Sequence, residues 1–345
     1  MKKFAYYIAA FLLVFAAASC KKDSSEFIPI ETITIIEGDT IWDDDLSAKS
    51  NLSTTLLPPL SIEKLVSQLS AEPKHDTCNA ERGGTIIIPD NVTVTIPANA
   101  CVNLLNKPCT GKLDVEILVL RKKGDFIAYN LPTSSLGRQL ISGGVVSVKV
   151  RQNGQEVRLA LGKAIKVSYV MTEPDNQMQL FDGKIDGRFK FDWLPISLLG
   201  TGVVLPNVTI WADSSQLRRG YNLVLDRFGL INCDKLSGDS TSFNNKFSVT
   251  LPETFTNVNT SVYVAFKNMN SVLSLTGDAR TKAFVASGRG LPIGRVVTIV
   301  TMSYIRDKFY FAKQEVTIQS TTGQTVKLTP VVMEKEEVKA MLNNL

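Results

Sequence analysis

The chain has 345 residues, 38 Lys and Arg against 33 Asp and Glu, a formal charge of +5 and one histidine. So small a basic excess over this length, with no dense basic block, excludes a nucleic-acid-binding surface. One histidine excludes a multi-histidine metal centre and leaves Ser/His/Asp chemistry a single base, His75, whose Pro73-Lys74-His75-Asp76 setting carries no nucleophile motif.

The chain opens on Met1-Lys2-Lys3, an apolar run from Phe4 to Ala18, and Ser19-Cys20. The run is shorter than the roughly 20 residues of a membrane-spanning helix. Its charged start and small-residue exit are those of an export signal. Ala17-Ala18-Ser19-Cys20 fits a bacterial lipobox, so the expectation is a signal peptide over 1–19, lipid attachment at Cys20 and a membrane partner reached through that lipid. Lys21-Lys22-Asp23-Ser24-Ser25-Glu26 has too little apolar area to offset its ordering entropy and reads as a tether. It resembles the lysine-plus-acidic segment after the cysteine of surface-exported Bacteroidota lipoproteins. That resemblance implies an outer-membrane lipoprotein, with the cell surface favoured over the periplasmic face.

The β-branched run within 27–42, closed by Gly38-Asp39, predicts a strand or extended arm. Ser61 as N-cap, with Ile62, Leu65, Val66 and Leu69 on one face, predicts a helix over 61–69 that Pro73 closes. From Gly83 the pattern is β. Strands are expected at 85–88 and 92–96 about a Pro89-Asp90-Asn91 turn, at 113–120, at 145–150 after Gly143-Gly144, at 157–159 and at 164–170. Asn153-Gly154 marks a type I′ hairpin, because both of its positions need positive φ.

A polar seam at 172–177 precedes further strands at 209–211, 221–225, 246–251, 261–266, 296–302, 309–318 and 325–328. Thr322-Gly323-Gln324 is expected to turn a late hairpin, and 333–342 to form a short amphipathic helix. The fold class that follows is mainly β: tandem β-sandwich-like domains with a short N-terminal and a short C-terminal helix. The divisions are 1–19 signal, 20–80 tether, strand and helix, 81–171 first β domain, and 172–345 second β domain with its helix.

Gly83-Gly84-Thr85 through Ile96-Pro97-Ala98-Asn99-Ala100 resembles the opening of a ZU5-type β domain, which starts with a Gly-Gly strand and an Ile-Pro-x-x-Ala turn. Thr110–Ile117, Leu131–Ser135, Leu140–Gly144 and Asn153–Val157 are similar to Bacteroidota lipoproteins. The likeness covers about residues 81–170 and implies an interaction module rather than an activity.

An exported chain can hold disulfides, and four cysteines follow Cys20: Cys78, Cys101, Cys109 and Cys233. Lys107-Pro108 can turn the chain between Cys101 and Cys109, the expected bridge. Cys233 sits in an apolar run that suits a buried thiol. Without a C-x-x-C pair there is no zinc ribbon or redox dithiol motif, and P-loop, dinucleotide and nucleophile-elbow patterns are absent.

Asp182, Asp186 and Asp192 could supply a carboxylate pair or ion contact, since a glycosidase needs two carboxyls about 5–10 Å apart. Their spacing lacks the calcium-loop pattern, and turn aspartates beside glycine are the ordinary alternative. Trp42, Trp193 and Trp211 could stack on sugar, or simply pack. Asp39-Thr40-Ile41 and Asp239-Ser240-Thr241 resemble the O-glycosylation pattern of exported Bacteroidota proteins, which implies modification at Thr40 and Ser240. The leading expectation is a non-catalytic binding or structural lipoprotein, with no cofactor, no metal and no catalytic residue. Asp182, Asp186, Trp193 and Trp211 are the candidate glycan or ion contacts of the competing reading, a glycan-binding lipoprotein of a polysaccharide-uptake system. A carboxylate-based hydrolase stands third.

Overall fold

Among the described residues three large sheets and one two-stranded sheet carry the fold, and the pairing explains why Val262–Phe266 is apolar without interruption while other strands alternate. The computed structural model describes Trp42 and residues 61–185, 191–198, 204–215, 217–238, 245–286, 290–319 and 323–345. The expectations for the signal and tether, for Cys20, Thr40, Asp186 and Ser240, and for the strand within 27–42 apart from Trp42, lie outside the described residues.

The first sheet runs Lys74–Asn79, Lys112–Leu120, Arg138–Gln152, Gly229–Leu236, Gln179–Ile185, Phe191–Pro195, with two short strands paired to Arg138–Gln152. The second runs Asn207–Ala212, Arg219–Leu225, Ile165–Val170, Val92–Ile96, Gly84–Ile88. These two sheets enclose one core, built on Val94, Ile117, Val146, Val148, Val167, Leu223 and Ile231. The third sheet runs Gln324–Lys327, Phe247–Thr250, Ala283–Val285, Val272–Asp278, Thr260–Phe266, Val296–Ile305, Lys308–Thr317, Val331–Met333. Val272–Asp278 pairs with Thr260–Phe266 through its first half and with Ala283–Val285 through its second.

Side chains alternate between the faces of a strand. On Thr260–Phe266, Val262, Val264 and Phe266 enter the core of the third sheet, while Tyr263 and Ala265 enter a separate core facing the first sheet. Val297 and Ile299 divide from Val300 and Met302 in the same way. A strand buried on both faces has no polar face to show, hence the unbroken apolar run Val262–Phe266. The middle core also takes Leu65 and Leu69 of helix Ser61–Leu69, Phe126 and Ile127 of helix Lys123–Ala128, and Val338 and Leu342 of helix Lys335–Asn343. Hydrogen bonds stitch the same junction. Thr133 and Val272 exchange bonds of 2.7 and 2.8 Å, Asn270 Nδ2 donates to the carbonyls of Arg121 and Ser142, and Tyr263 OH donates to Asn130 Oδ1.

The fold is thus mainly β, with stacked sheets and short N-terminal and C-terminal helices as expected, but helix Lys123–Ala128 is unexpected and several local expectations change. Sheet pairing crosses the anticipated division at 171/172: Gln179–Ile185, Phe191–Pro195 and Gly229–Leu236 join the first sheet, and Asn207–Ala212 and Arg219–Leu225 the second. The sheets change partners after Leu236, because the core strands Ile165–Val170 and Arg138–Gln152 need neighbours that only later sequence supplies. The late hairpin is also replaced. Gln324–Lys327 pairs in parallel with Phe247–Thr250, and it is Val331–Met333 that pairs with Lys308–Thr317, at Phe309–Phe311.

Gly143-Gly144 does not precede a strand but lies inside the fifteen residues of Arg138–Gln152. There the two glycines oppose the single residue Cys233, a β-bulge between the pairs Val145–Asn232 and Ser142–Asp234. The extra residue shifts the alternation by one, so Leu140 and Val145 both reach the middle core while Val146 faces the first. Gly144 takes φ +129°, and a Cβ on Gly143 would stand 2.9 Å from the Cys233 carbonyl oxygen. Two glycines in sequence meet both demands. The Asn153-Gly154 hairpin forms as expected, with φ +52° and +79°.

Candidate functional site

Among the described residues, Asp182, Asp192, Trp193 and Trp211 all make contacts within the fold. Asp182, buried on Gln179–Ile185, accepts from Arg227 Nη1 at 3.0 Å and lies 3.0 Å from Lys184 Nζ. Arg227 also holds Asp226 through Nε at 2.7 Å and Nη2 at 3.1 Å. These carboxylates keep the guanidinium firmly protonated, its pKa raised above the ordinary value. Asp182 therefore serves a charge network rather than an open acid–base pair. Asp192 lies on strand Phe191–Pro195 rather than in the turn expected for it, and accepts the backbone N–H groups of Leu136 and Trp193. His75 lies on strand Lys74–Asn79 opposite Glu116, not in a loop.

Trp193 is 1% exposed. Its indole N–H donates to the Pro132 carbonyl at 2.9 Å and Phe191 meets its ring edge-on at 4.9 Å. Buried on both faces, it cannot stack on a sugar, which corrects that expectation. Trp211 is half-buried on the edge strand Asn207–Ala212, with its indole N–H on the Tyr221 carbonyl at 3.2 Å. Trp42 stacks obliquely on Phe284 at 5.2 Å.

The structure brings three cysteines into one region. Cys101–Val102 pairs with Arg158–Leu159, and on its other side Val102 bridges Pro108 while the Cys109 N–H donates to the Cys101 carbonyl at 3.0 Å. Cys101 and Cys109 thus stand opposite each other, both as buried thiols. Cys78 is half-buried at the edge of the same core. Burial, with Cys109 and then Cys78 adding, pushes the Cys101 thiol up to about 12. Cys233 is apart from them, wholly buried, with its thiol pushed up by burial.

Beneath the bulge lies a polar cluster that sequence reasoning passed over. Gly144 N–H donates to Ser142 Oγ, Ser142 Oγ to Asn232 Oδ1 at 3.1 Å, and Asn232 Nδ2 to Asp234 Oδ2. Tyr169 OH reaches the Gly143 carbonyl at 3.2 Å. Asp234 is fully buried, its Oδ1 has no hydrogen-bond partner among the described residues, and burial raises its carboxyl far above the usual range. A neutral carboxylic acid is the form such surroundings favour. The signal was Asn232-Cys233-Asp234, polar residues inside a buried strand.

A second unpredicted feature is the turn Asn103-Leu104-Leu105-Asn106-Lys107. Asn103 Oδ1 accepts from the N–H groups of Leu105 and Lys107 at 2.9 and 3.0 Å. Asn103 N–H donates to the Lys107 carbonyl, Asn106 N–H to the Asn103 carbonyl, and Arg158 Nη2 to both Leu104 O and Asn106 Oδ1. This braced turn points two leucines outward, 68% and 77% exposed. Asparagines flanking a Leu-Leu pair were the available signal.

A cleft of about 540 Å³ is lined by residues at the paired strands Phe247–Thr250 and Ala283–Val285, with Lys246, Asp278 and Thr281. Among the described residues no group of three or more His, Cys, Asp or Glu could hold a metal ion, and no helix is long and apolar enough to cross a membrane. The fold and these sites define a mainly β protein of stacked sheets. Comparison with protein-family models, curated proteins and solved structures finds no match to this chain.

Proposed function

We propose that this chain is a lipid-anchored, outward-facing, non-catalytic module that holds a protein partner at the Leu104-Leu105 turn. The turn carries the reading: its backbone is braced by hydrogen bonds from Asn103 and Arg158, while its two leucines contact water. Pre-ordering removes part of the entropy that binding would otherwise cost, and adjacent exposed leucines supply apolar area to bury. Lys107 and Arg158 add a basic flank. The ZU5-type resemblance of Gly83–Ala100 points toward an interaction role as well. Lipidation at Cys20, at the outer membrane with the cell surface favoured, would set the module facing outward. Asp182 and Trp193, the residues a hydrolase or glycan binder would use, are committed to Arg227 and Pro132.

The test is a photo-reactive residue at position 105 of the full chain in intact cells. The expected result is a discrete protein adduct that a probe at the exposed Lys313 does not give and that Leu104→Ser abolishes. No adduct, or the same adduct from both positions, overturns the partner reading. Fatty-acid labelling lost in Cys20→Ser tests the anchor independently.

A further inference from the structure

We propose that Cys78, Cys101 and Cys109 form a thiol–disulfide exchange site in which Cys101 is the shared partner, bonded to Cys109 in the oxidised protein and to Cys78 on the way there. Cys101 and Cys109 stand opposite each other on hydrogen-bonded backbone. Such pairs have Cα atoms about 5.5 Å apart, inside the window a disulfide needs. Cys78 pairs in register with Leu113, so the two side chains share a sheet face. Leu113 belongs to the core that holds Cys101 and Cys109, and Cys78 packs against that core. Gly84 leaves the room: a Cβ there would stand 2.9 Å from Cys78 Cβ.

Exposure sets the order of events. Cys101 and Cys109 are each 3% exposed and Cys78 is half-buried, so an external disulfide meets Cys78 first. The Cys78 thiolate attacks one sulfur of that disulfide, carried by an exchange protein or an oxidised low-mass thiol, and the first carrier thiolate leaves. The Cys101 thiolate then attacks the Cys78 sulfur, forming the Cys78–Cys101 bond and releasing the second carrier thiolate. Finally the Cys109 thiolate attacks Cys101, and Cys78 leaves as a thiolate that takes a proton from water. Cys101 and Cys109 lose two electrons in all, and the carrier gains them as two thiols. Because burial raises all three thiols, each attack speeds up as pH rises. Bonding Cys101 to Cys109 closes the base of the Leu104-Leu105 turn, yet the chemistry stands whether or not that turn binds a partner.

The experiment incubates the reduced, purified full chain with oxidised glutathione at pH 8, alkylates it under denaturing conditions and maps unreduced peptides by mass spectrometry. The expected wild-type product links Cys101 to Cys109, with Cys78 and Cys233 alkylated. Cys109→Ser is expected to trap Cys78–Cys101, and Cys78→Ser to slow the Cys101–Cys109 bond by about tenfold or more. Cys101 alkylated throughout, or an unchanged rate in Cys78→Ser, overturns the proposal. Should Cys109→Ser not fold, the rate comparison at half-buried Cys78 decides.

Discussion

Asn232 Nδ2 donates to Asp234 Oδ2 at 2.6 Å, and both side chains are wholly buried. The pair sits at the bulge where the first sheet changes its alternation, and only polar neighbours make that burial tolerable. Among the described residues nothing cationic touches Asp234. The ionisable groups around it are Tyr169, raised well above 10, Tyr221, pushed up to about 12, and Cys233, raised by burial. Beyond Tyr221, Asp175 is held below the usual carboxylate range by Lys235.

Stability is therefore expected to fall as pH rises from 5 to 8. The folded carboxyl keeps its proton while the unfolded one, near 4, gives it up, so the folded state binds more protons. The contribution is full below the unfolded pKa and declines toward the raised folded pKa, by at most about 1.4 kcal/mol per pH unit. Urea titrations at several pH values measure the slope. Asp234→Asn should flatten it. Equal slopes in wild type and variant would show that Asp234 is ionised in the fold.

Gly124 carries a different kind of constraint. A Cβ there would lie 2.2 Å from the Leu342 carbonyl oxygen, where helix Lys123–Ala128 meets the C-terminal helix. Gly124→Ala is expected to cost roughly 2–3 kcal/mol by chemical denaturation, within the overpacking range. Gly111→Ala, with open space but φ +75°, should cost only about 1 kcal/mol. A smaller loss at 124 than at 111 would mean the helices do not meet at this carbonyl.

Why some of this was legible in the sequence follows from what each element buries. Helix Ser61–Leu69 and strand Val92–Ile96 each bury one face, so their periods were readable, and Asn153-Gly154 announced its turn chemically. Strand Lys74–Asn79 is polar and largely exposed along its length and gives no pattern; its backbone pairing with Lys112–Leu120 decides it. Arg306-Asp307 turns a two-residue hairpin at positive φ without glycine or asparagine, held by the ten paired residues on each side. The site was harder. Asp182 looks like any turn aspartate until Arg227, far along the chain, reaches it, and the Cys78 contribution needs strand registers that no local spacing encodes.

Trp193 separates a packing role from a sugar-binding one. Trp193→Ala removes a ring that is 1% exposed and leaves the Pro132 carbonyl without its donor, so the expected cost is about 3–5 kcal/mol. Trp211→Ala, at a half-buried edge, should cost much less. Thermal or urea denaturation of both variants ranks them. A Trp193→Ala protein as stable as wild type would reopen this residue as a binding aromatic.

The braced turn makes the last prediction, because bracing and exposure can be removed separately. Leu105→Ser deletes apolar surface that makes no buried contact, so stability should stay within about 0.5 kcal/mol of wild type. Asn103→Ala leaves both leucines in place but removes the acceptor for the Leu105 and Lys107 N–H groups, an expected cost of about 1–2 kcal/mol. If the ordered geometry of the turn matters for partner contact, Asn103→Ala should also lower photo-adduct yield from position 105 in chains that remain folded by circular dichroism. Full yield from the loosened turn would mean that stickiness alone, and not the shape held by Asn103 and Arg158, makes the contact.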